Sequence, residues 1–497
     1  MNENIRKLAY FLVFIFSVLV VYLGYLNVVV GPNLFTDPHN RRLAAAEAGI
    51  TRGTIYDRQG VVLAEDRVVG GVKKRTYPFR RETAHLLGFV SQRYGRTGVE
   101  SVFDSYLLAL DDSGKIQSVI DRVLGRPRYG YDISLTIESR LQRKAYSLLN
   151  GRSGAVVALD PRTGAVLAMV STPSFDPDSI ENIVKTEKTV KNGKTVNISI
   201  TGYDVLMKQA ESAPLLNRAA RGVYPPGSTF KVVTGAGAIE ANRENTNDSA
   251  DCKGSVTVDG FVLKDTGVHG KVSFNEAMAV SCNSFFAEMG LELGESGLKK
   301  AARAFGFELI GYDDKTGQYK GSYPVAGGEV PFNPGTIPSN NLNSPEVAST
   351  AIGQGRILVS PFQMALVAAG IANSGALMKP YVLEKASSRN GRDIYRKAYP
   401  EVLSTAVSPE TARILASAME HSIMAGTGSQ ASIQGVRVAG KTGSAQNPHG
   451  QSHAWFIGFA PADDPRIALA VIVENAGAGG NVAAPVAKEL IKLYLRK

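Results

Sequence analysis

The sequence predicts an α+β protein, and three observations support this class. An uncharged stretch of 23 residues, Leu8–Val30, predicts a single N-terminal transmembrane helix. Apolar runs at 155–159 and 165–170 flank an Asp-Pro-Arg-Thr-Gly turn, which is typical of a β-hairpin. Three further strands, predicted to form an antiparallel meander, cover 436–441, 454–459 and 467–473. We therefore expect a small α+β membrane-proximal domain followed by a larger domain with a central antiparallel sheet flanked by helices.

The composition is that of an ordinary globular protein. The chain has 497 residues, of which 44% are hydrophobic and 20% charged, so it is neither disordered nor collagen-like. Its net charge is 55 − 45 = +10, and the span 41–150 holds 19 basic and 12 acidic residues, a net +7. This positive charge could attract anionic lipid headgroups or wall polymers. We prefer the simpler interpretation, a solvated surface with scattered lysines and arginines. No basic run is interleaved with aromatic residues, so we expect no nucleic acid partner.

The apolar stretch is interpreted as an uncleaved membrane anchor. As a helix it would be about 35 Å long, enough to span a bilayer. A cleaved signal peptide is the alternative, but the run is long for one and no small-x-small cleavage site follows it. Arg6 and Lys7 precede the span and favour a cytoplasmic N-terminus, whereas Arg41 and Arg42 follow it at a distance. The rest of the chain is therefore expected outside the cytoplasmic membrane.

Three regions follow from these patterns. They are a leader and anchor at 1–30, a membrane-proximal domain at 31–150 and a larger domain at 151–497. The predicted strand at 132–137 and helix at 138–149 could belong to either side of the second boundary.

Smaller elements can also be placed. Strand-like runs on both sides of the turn Asp57–Gly60 predict a hairpin. Residues 174–212 form a polar excursion with a turn at 191–194, and a last helix is predicted over about 485–495.

The cysteines and histidines predict no metal site. Cys252 and Cys282 are the two cysteines, and they could either form a disulfide or be buried as small apolar side chains. The six histidines form no H-E-x-x-H or cysteine-rich pattern. His449 and His453 are four apart but lie in a predicted loop, which is unsuitable for helical zinc ligands.

Ser228 is a candidate nucleophile. It follows the non-helical string Tyr224-Pro225-Pro226-Gly227, so the sequence places it at a helix N-terminus, where a nascent oxyanion is stabilised by about 0.3 to 1 kcal/mol. Lys231, at i+3, lies on the same face. It can act as a general base only if burial or a nearby charge, for which Lys441 is a candidate, lowers its pKa from about 10.4 towards neutrality. A serine N-cap is the structural alternative.

Two further motifs carry groups suited to the same chemistry. Ser281 and Asn283 follow Ser228 by 53 and 55 residues and lie between two apolar helical stretches. They supply a hydroxyl and an amide. A polar loop that merely separates two helices would have the same residue types. The string Lys441-Thr442-Gly443-Ser444 ends a predicted strand. Its glycine allows another backbone to approach, and a strand edge can bind an extended peptide.

The order of these motifs resembles that of serine enzymes that attack amides. Further matching strings are Arg52–Ala64, Arg221–Gly227, Gly353–Gly355, Leu358–Ala365 and Trp455–Phe459. From Arg52 onward the chain resembles a class B penicillin-binding protein, a monofunctional transpeptidase. The resemblance implies that the larger domain has the serine transpeptidase/β-lactamase-like fold.

The resemblance also implies roles for individual residues. Ser228 would be the nucleophile, Lys231 its base and Ser281 a proton relay between Lys231 and the leaving nitrogen. The backbone N–H groups of Ser228 and Ser444 would form the oxyanion hole. Threonine is usual at this position in the family, so Ser444 is a mild departure. Little effect is expected, because the backbone N–H and not the side chain carries the role.

The remaining implied residues bind substrate. Asn283 would hold the substrate amide. Lys441 and Thr442, followed by Gly443, would receive the terminal carboxylate.

The implied activity is peptidoglycan D,D-transpeptidation. Ser228 would attack the penultimate D-Ala of a wall stem peptide ending in D-Ala-D-Ala, and β-lactams would be covalent inhibitors. No metal or organic cofactor is expected. The implied location is the bacterial cell membrane, with the catalytic domain extracytoplasmic. A polytopic membrane glycosyltransferase and other wall-synthesis proteins are implied partners.

Other functions are less consistent with the sequence. About 120 residues between the anchor and the larger domain are few for a glycosyltransferase domain, and no H-E-x-x-H metalloprotease motif of an antibiotic sensor is present. A non-catalytic penicillin-binding scaffold is disfavoured because all three motifs are intact. A D,D-carboxypeptidase or β-lactamase-type hydrolase remains the main alternative. The string from Glu329 to Asn333 resembles a lactamase E-x-x-x-N motif only at its two ends and is interpreted as coincidence.

Overall fold

The computed structural model describes residues 3–25, 49–70, 72–191, 194–241, 249–308, 312–313, 318–319, 332–338, 341–397, 399–448 and 450–496. Helix α1 spans Glu3–Tyr25 and begins five residues before the predicted anchor, so Arg6 and Lys7 lie inside it. Residues 3–23 are exposed, and are long and apolar enough to cross a membrane. The predicted end of the anchor, 26–30, lies outside the described residues.

The predicted central antiparallel sheet is confirmed. Its five strands, β1 to β5 in chain order, are Gly154–Leu159, Val166–Thr172, Ala439–Ala445, His453–Ala460 and Ile467–Val473. Their spatial order is β2-β1-β5-β4-β3, and every neighbouring pair is antiparallel. Nearly all their residues are buried because helices cover both faces, which explains the continuous apolar runs in the sequence. β3 is an edge strand.

Eight further labelled helices complete the framework of this domain. They are α2 Ser139–Leu149, α3 Lys231–Glu240, α4 Phe274–Val280, α5 Asn283–Ala304, α6 Ser344–Ala351, α7 Pro361–Ala372, α8 Pro409–Ala425 and α9 Gly479–Leu495. One face of the sheet packs on α2 and α9, through residues such as Leu149, Phe456 and Leu490. The opposite face packs on α7 and, beyond it, on α3, α4, α5 and α8. The sheet is therefore the middle of three layers.

The start of the C-terminal helix differs from the prediction. α9 begins at Gly479, six residues before the predicted start at Pro485, and the proline lies inside the helix. Proline removes one backbone donor but does not prevent a helix whose apolar side is firmly packed. Ala483, Ala484 and Ala487 around it are fully buried.

A six-stranded sheet joins the two predicted domains. Its strands, in spatial order, are Asp393–Arg396, Leu383–Ser387, Asp132–Leu135, Ile55–Tyr56, Val62–Val69 and Val72–Thr76. Ile133 pairs with Ile55 on one side and with Ala386 on the other. The strand at 132–135 thus belongs to this sheet, whereas α2, directly after it, covers the central sheet.

The turn at Asp57 is the predicted hairpin. The Asp57 carboxylate accepts hydrogen bonds from the backbone N–H groups of Gln59 and Val61, both at 2.8 Å. Gly60 has a φ of 81°, a left-handed conformation that glycine adopts without strain. The strands on either side pair antiparallel.

A buried ion network fixes the start of the membrane-proximal region. The Glu100 side chain is fully buried between two arginines, with Arg52 Nε at 2.6 Å and Arg75 Nε at 2.7 Å from its oxygens. Arg52 Nη1 also lies 2.6 Å from Asp104 Oδ1. Burial alone would raise the pKa of Glu100, but the two guanidinium groups outweigh it and lower the pKa.

The larger domain also contains hairpins. The predicted polar excursion contains an antiparallel pair, Ile183–Lys191 and Lys194–Thr201, and residues 192–193 of its predicted turn lie outside the described residues. Before α4, the pair Ala250–Cys252 and Gly270–Val272 encloses a second pair, Ser255–Val258 and Phe261–Lys264.

The remaining elements are short, apart from one helix of 12 residues. The helices are Ala84–Leu87, Gly98–Val102, Asp104–Leu107, Asp112–Val123 and Gly202–Met207. The strands are Ile50–Thr51, Val90–Ser91, Gly95–Arg96, Arg128–Tyr129, Tyr312–Asp313, Gln318–Tyr319, Ala376–Met378 and Val402–Thr405.

Candidate active site

Ser228 lies in a 3₁₀ turn, Gly227–Thr229, immediately before α3. The predicted α-helix start at Ser228 is therefore wrong by three residues, since α3 begins at Lys231. The reason lies in Gly227, the first residue of the 3₁₀ turn, whose φ of 53° is left-handed and cannot be part of an α-helix. Ser228 is half-buried and still precedes the positive end of α3, so the electrostatic argument for this position is kept.

Close backbone packing fixes the turn that carries Ser228. The Gly227 N–H donates to the Gly353 carbonyl at 2.9 Å. A Cβ at Gly353 would lie 2.0 Å from the Gly227 carbonyl oxygen, so the predicted Gly353–Gly355 turn has a definite packing role. On the other side, the Trp455 indole Nε1–H donates to the Pro225 carbonyl at 3.1 Å. The segment that carries Ser228 is thus held between the end of α6 and β4.

Lys231 is fully buried and points at the second motif. Its Nζ donates to the Ser281 carbonyl at 2.6 Å and to Asn283 Oδ1 at 2.7 Å, and lies 3.3 Å from Ser281 Oγ. Burial lowers the pKa of Lys231 to about 7, although the Asp265 carboxylate acts in the opposite direction. The amine can therefore lose its proton near neutral pH. Within the described residues, no hydrogen bond joins it to the Ser228 hydroxyl.

Lys441 lies on β3 and reaches the same hydroxyl. Its Nζ donates to Ser281 Oγ at 2.9 Å and to the Thr442 carbonyl at 3.1 Å. Burial, assisted by the positive charge of Lys231, lowers the pKa of Lys441 well below its usual range. Of the two causes that the sequence left open for a lowered pKa of Lys231, burial is the main one. The repulsion between the two amines acts on both of them and adds to the burial of Lys441.

Ser281 and Asn283 are brought together by a tight junction between α4 and α5. Ser281 ends α4 with a φ of 62°, and α5 begins at Asn283. This left-handed residue turns the Ser281 hydroxyl towards both lysines. Asn283 accepts from Lys231 and donates its Nδ2–H to the Lys264 carbonyl at 3.0 Å, so the orientation of its amide is fixed.

The third motif lies on β3, the strand at one end of the sheet, where Ser444 alone is exposed. Thr442 Oγ1 lies 2.6 Å from Thr427 Oγ1, while Ser444 is exposed and its Oγ accepts from the Gly479 N–H at 3.3 Å. A Cβ at Gly443 would lie 3.0 Å from the Pro226 carbonyl, which confirms the predicted close approach of another backbone. Since β3 has a strand on one side only, its outer edge can pair with an extended peptide.

Several supporting residues were not predicted from the sequence. Glu474 accepts from Tyr224 Oη and from Arg218 Nε, both at 2.7 Å, and so supports the segment before Ser228. Phe286 places its ring 5.6 Å from Lys231 Nζ, a cation–π distance. Glu474 and Phe286 belong to no recognisable sequence motif, so only their contacts in the folded protein reveal these roles.

Cys252 and Cys282 are both buried and neither forms a disulfide. Their thiols instead donate to the same oxygen, Asp265 Oδ2, at 3.3 and 3.1 Å. With His269 they form a group of potential metal ligands next to Ser281 and Asn283. The sequence signal for this group is the presence of Asp265 and His269 between the two cysteines. The spacing of the four residues matches no familiar metal-binding motif, so the sequence alone does not predict the group.

The lactamase-like string has a different environment from the motifs above. Glu329 lies outside the described residues. Asn333 donates its Nδ2–H to the Arg221 carbonyl at 2.8 Å, a contact that supports the loop.

The histidine pair of the loop at 449–453 can be described in part. His453 accepts a hydrogen bond from the Asn475 N–H at 3.1 Å, and His449 lies outside the described residues.

Comparison with known proteins identifies two regions. Residues 154–492 match the family model described as the penicillin-binding protein transpeptidase domain. Residues 52–133 match the model described as the penicillin-binding protein A dimerisation domain.

Relatives match over almost the whole chain. A peptidoglycan D,D-transpeptidase PbpA from Mycolicibacterium smegmatis is 33% identical over 523 aligned positions, covering 100% of both chains. The structure of penicillin-binding protein A from M. tuberculosis, an imipenem acyl-enzyme complex, superposes with a TM-score of 0.76 at 31% identity, covering 90% of this chain and 99% of that one. The D,D-transpeptidase domain of a peptidoglycan glycosyltransferase from Eggerthella lenta gives a TM-score of 0.72 at 28% identity, with 90% and 99% coverage. The arrangement of two buried lysines around one serine, and these similarities, show that the chain belongs to the penicillin-binding protein transpeptidase family.

Proposed function

We propose that this protein is a peptidoglycan D,D-transpeptidase that cross-links wall stem peptides ending in D-Ala-D-Ala, and that β-lactams acylate its Ser228. The observation that carries the proposal is the convergence of Lys231 and Lys441 on the Ser281 hydroxyl, because Lys231 follows Ser228 by only three residues. The fold and sequence of relatives named as transpeptidases support the same reaction.

In the proposed acylation, neutral Lys231 accepts the proton of the Ser228 hydroxyl while Oγ attacks the carbonyl carbon of the penultimate D-Ala. For this, its amine exchanges one of its present acceptors, at Ser281 or Asn283, for the nucleophile. Catalytic hydrogen bonds commonly tighten only when substrate is bound. The C–N bond then breaks, and the leaving amine of D-Ala takes a proton relayed through Ser281.

The second half of the reaction regenerates the serine. An amine from a neighbouring stem peptide attacks the acyl-ester carbon and gives its proton back through Lys231. The Ser228–acyl bond breaks, a new amide forms, and Ser228 Oγ recovers its proton. No other co-reactant is needed.

Substrate binding is assigned to the third motif and to Asn283. Lys441 and Thr442 would bind the terminal carboxylate, and the edge of β3 from Gly443 to Ser444 would pair with the peptide backbone. The backbone N–H groups of Ser228 and Ser444 would stabilise the oxyanion, a contribution typically of about 2.7 to 4 kcal/mol per donor.

We further propose that the region predicted at 31–150, apart from α2, which packs on the central sheet, is membrane-proximal and supports the catalytic domain outside the cytoplasmic membrane. The exposed apolar helix α1 and its leading Arg6 and Lys7 support this orientation. The anchor and this unit are the proposed contacts for a polytopic membrane glycosyltransferase. Protease accessibility of the chain in intact spheroplasts tests the orientation, since only an external domain would be digested.

The central experiment uses full-length protein in detergent and a fluorescent penicillin. Ser228→Ala should lose labelling, whereas Ser444→Ala should keep it because only the backbone of Ser444 is assigned a role. Labelling of Ser228→Ala at the parent rate would refute the nucleophile assignment.

The fate of the acyl group distinguishes transfer from hydrolysis. With a donor stem peptide and a defined amine acceptor, mass spectrometry should detect the cross-linked product. Exclusive release of the shortened free peptide would indicate a D,D-carboxypeptidase, and rapid loss of the penicillin label would indicate a β-lactamase-type hydrolase.

A further inference from the structure

Four side chains with metal-binding atoms converge beneath the second motif. They are Cys252, Asp265, His269 and Cys282, and one donor atom from each lies within 4.8 Å of all the others. Asp265 Oδ2 lies 3.3 Å from Cys252 Sγ and 3.1 Å from Cys282 Sγ. His269 Nδ1 lies 3.3 Å from Cys252 Sγ and 3.9 Å from Asp265 Oδ1.

These spacings fit the edges of a tetrahedral zinc site. Zinc bonds of about 2.3 Å to sulfur and about 2.0 Å to nitrogen or oxygen imply ligand–ligand distances of roughly 3.3 to 3.8 Å. The three contacts that use one atom per ligand, at 3.3, 3.1 and 3.3 Å, lie at the short end of that range. The 3.9 Å contact of His269 is to the other Asp265 oxygen, Oδ1. Two thiolates with an imidazole favour zinc over magnesium or calcium, which prefer oxygen ligands.

Hydrogen bonds from neighbouring residues also orient the potential ligands, as is usual around metal sites. The other ring nitrogen of His269, Nε2, lies 3.4 Å from Thr266 Oγ1, which leaves Nδ1 directed at the cluster. The Phe285 N–H donates to Cys282 Sγ at 3.4 Å, and the Ser284 N–H donates to Asp265 Oδ2 at 2.9 Å. Three of the four ligands are therefore oriented by a neighbour that is not itself a ligand.

Burial supplies a second, independent argument. The Asp265 side chain is fully buried, and its sole ion-pair partner among the described residues is the distant Nδ1 of His269. The Ser284 and Thr266 N–H groups and both thiols donate hydrogen bonds to this carboxylate, which holds it as an acceptor directed at the cluster. A divalent ion would take the place of the two thiol protons. A Cys252–Cys282 disulfide would use the same sulfurs but would leave both Asp265 and His269 without a role.

We propose that Cys252, Asp265, His269 and Cys282 bind one structural Zn²⁺ ion. Binding displaces the two thiol protons to solvent, so the ion is held by two thiolates, one carboxylate and a neutral imidazole, with no oxidation or reduction. Four protein ligands leave no open position, which is characteristic of a structural rather than a catalytic zinc. This inference replaces the sequence-based expectation that the chain holds no metal.

The proposed ion would fix the second catalytic motif. Cys282 lies between Ser281 and Asn283, while the other three ligands come from the nested hairpins before α4. The Asn283 amide also donates to the Lys264 carbonyl of those hairpins. The zinc would therefore clamp the hairpins to the start of α5 and act as a positioning element for the Ser281 hydroxyl and the Asn283 amide.

Metal analysis of the full-length protein tests the proposal without reference to catalysis. Protein produced with zinc in the medium and purified without a metal-affinity tag should contain about one zinc per chain by plasma mass spectrometry. Cys252→Ser and Asp265→Asn should lose most of it. Asp251→Asn removes an exposed carboxylate next to Cys252 and should retain it. Equal zinc in all four proteins would overturn the proposed ligands.

Cobalt substitution guards against variants that fail to fold. The parent protein loaded with Co²⁺ should show thiolate-to-cobalt charge-transfer absorption, a signature that requires cysteine ligands. A zinc-free parent whose intact mass is two hydrogens lighter would instead establish the disulfide and refute the site. Metal content does not depend on the proposed transpeptidation, so the two hypotheses can fail separately. If both hold, chelation should slow acylation while Ser228 remains chemically intact.

Discussion

Lys441 Nζ lies 2.9 Å from Ser281 Oγ, although the two residues are 160 positions apart in the chain. This contact brings β3 against the junction of α4 and α5, so that one serine hydroxyl lies between two buried amines. Two ammonium groups cannot share such a site without strong repulsion. At least one amine is therefore neutral at physiological pH, and this requirement suits a site that must accept a proton from a nucleophile.

The acylation rate should increase as pH rises through about 7. Burial lowers the pKa of Lys231 to about 7, and only its neutral form can accept the Ser228 proton, so activity is lost on the acid side. Lys441 and Asp265 are the charged groups facing it, the first suppressing its charge and the second favouring it. Fluorescent-penicillin labelling rates measured across this range test the prediction.

Lys231→Ala and Lys231→Arg provide the matched pair for that test. Alanine has no base, and arginine retains a charge that cannot be removed, so both should abolish acylation while circular dichroism remains native-like. A pH-independent rate in the parent, or normal acylation at neutral pH in Lys231→Ala, would exclude Lys231 as the base.

Gly443→Ala should slow acylation more than it affects stability. The new Cβ would lie 3.0 Å from the Pro226 carbonyl and 3.1 Å from Thr229 Cγ2, both in the segment that carries Ser228. Overpacking of this kind costs about 1 to 3 kcal/mol and would displace the nucleophile. Urea unfolding and labelling rates should be compared with Ser444→Ala, whose side chain is exposed. An unchanged labelling rate would show that the contact does not position Ser228.

Glu100→Ala should destabilise the protein strongly without removing its chemistry. The variant leaves Arg52 and Arg75 buried without their shared partner, a loss of about 3 to 5 kcal/mol in comparable sites. Chemical denaturation measures the effect. Glu65→Ala, which breaks a pair with the largely exposed Arg67, is the control and should have little effect. Equal stability of the two variants would contradict the importance of the buried network.

Trp455→Phe should lower stability by about 1 kcal/mol and reduce acylation. It removes the indole donor to the Pro225 carbonyl while retaining a buried aromatic ring, so the nucleophile's segment loses one anchor. The measurement is again unfolding free energy together with labelling rate. A stability loss with a normal labelling rate would mean that Glu474 and Gly353 suffice to hold the turn.

The sequence predicted the elements whose signals are local. The apolar runs of β1, β2, β4 and β5 and the turn at Asp57 are each encoded by neighbouring residues, and the structure confirms them. Boundaries were less accurate. Proline and glycine suggested helix starts at Ser228 and Pro485, whereas packing placed them at Lys231 and Gly479.

Long-range contacts were beyond the sequence patterns. The motif order indicated that Ser228, Ser281 and Lys441 share a site. It left open whether burial or the charge of Lys441 would lower the pKa of Lys231, and the structure makes burial the main cause. The grouping of Asp265 and His269 with two cysteines depends on the nested hairpins, whose strand pairing no single spacing reveals.

The six-stranded sheet determines how the protein can be divided for laboratory use. A recombinant fragment beginning at residue 151 would lack α2 and would leave Leu383–Ser387 without its neighbour at Asp132–Leu135. The strand edge exposed in this way would be a template for self-association, and one face of the catalytic sheet would keep only α9 as its cover. A fragment that begins near residue 49 keeps every strand of that sheet, and we expect it to fold as one unit.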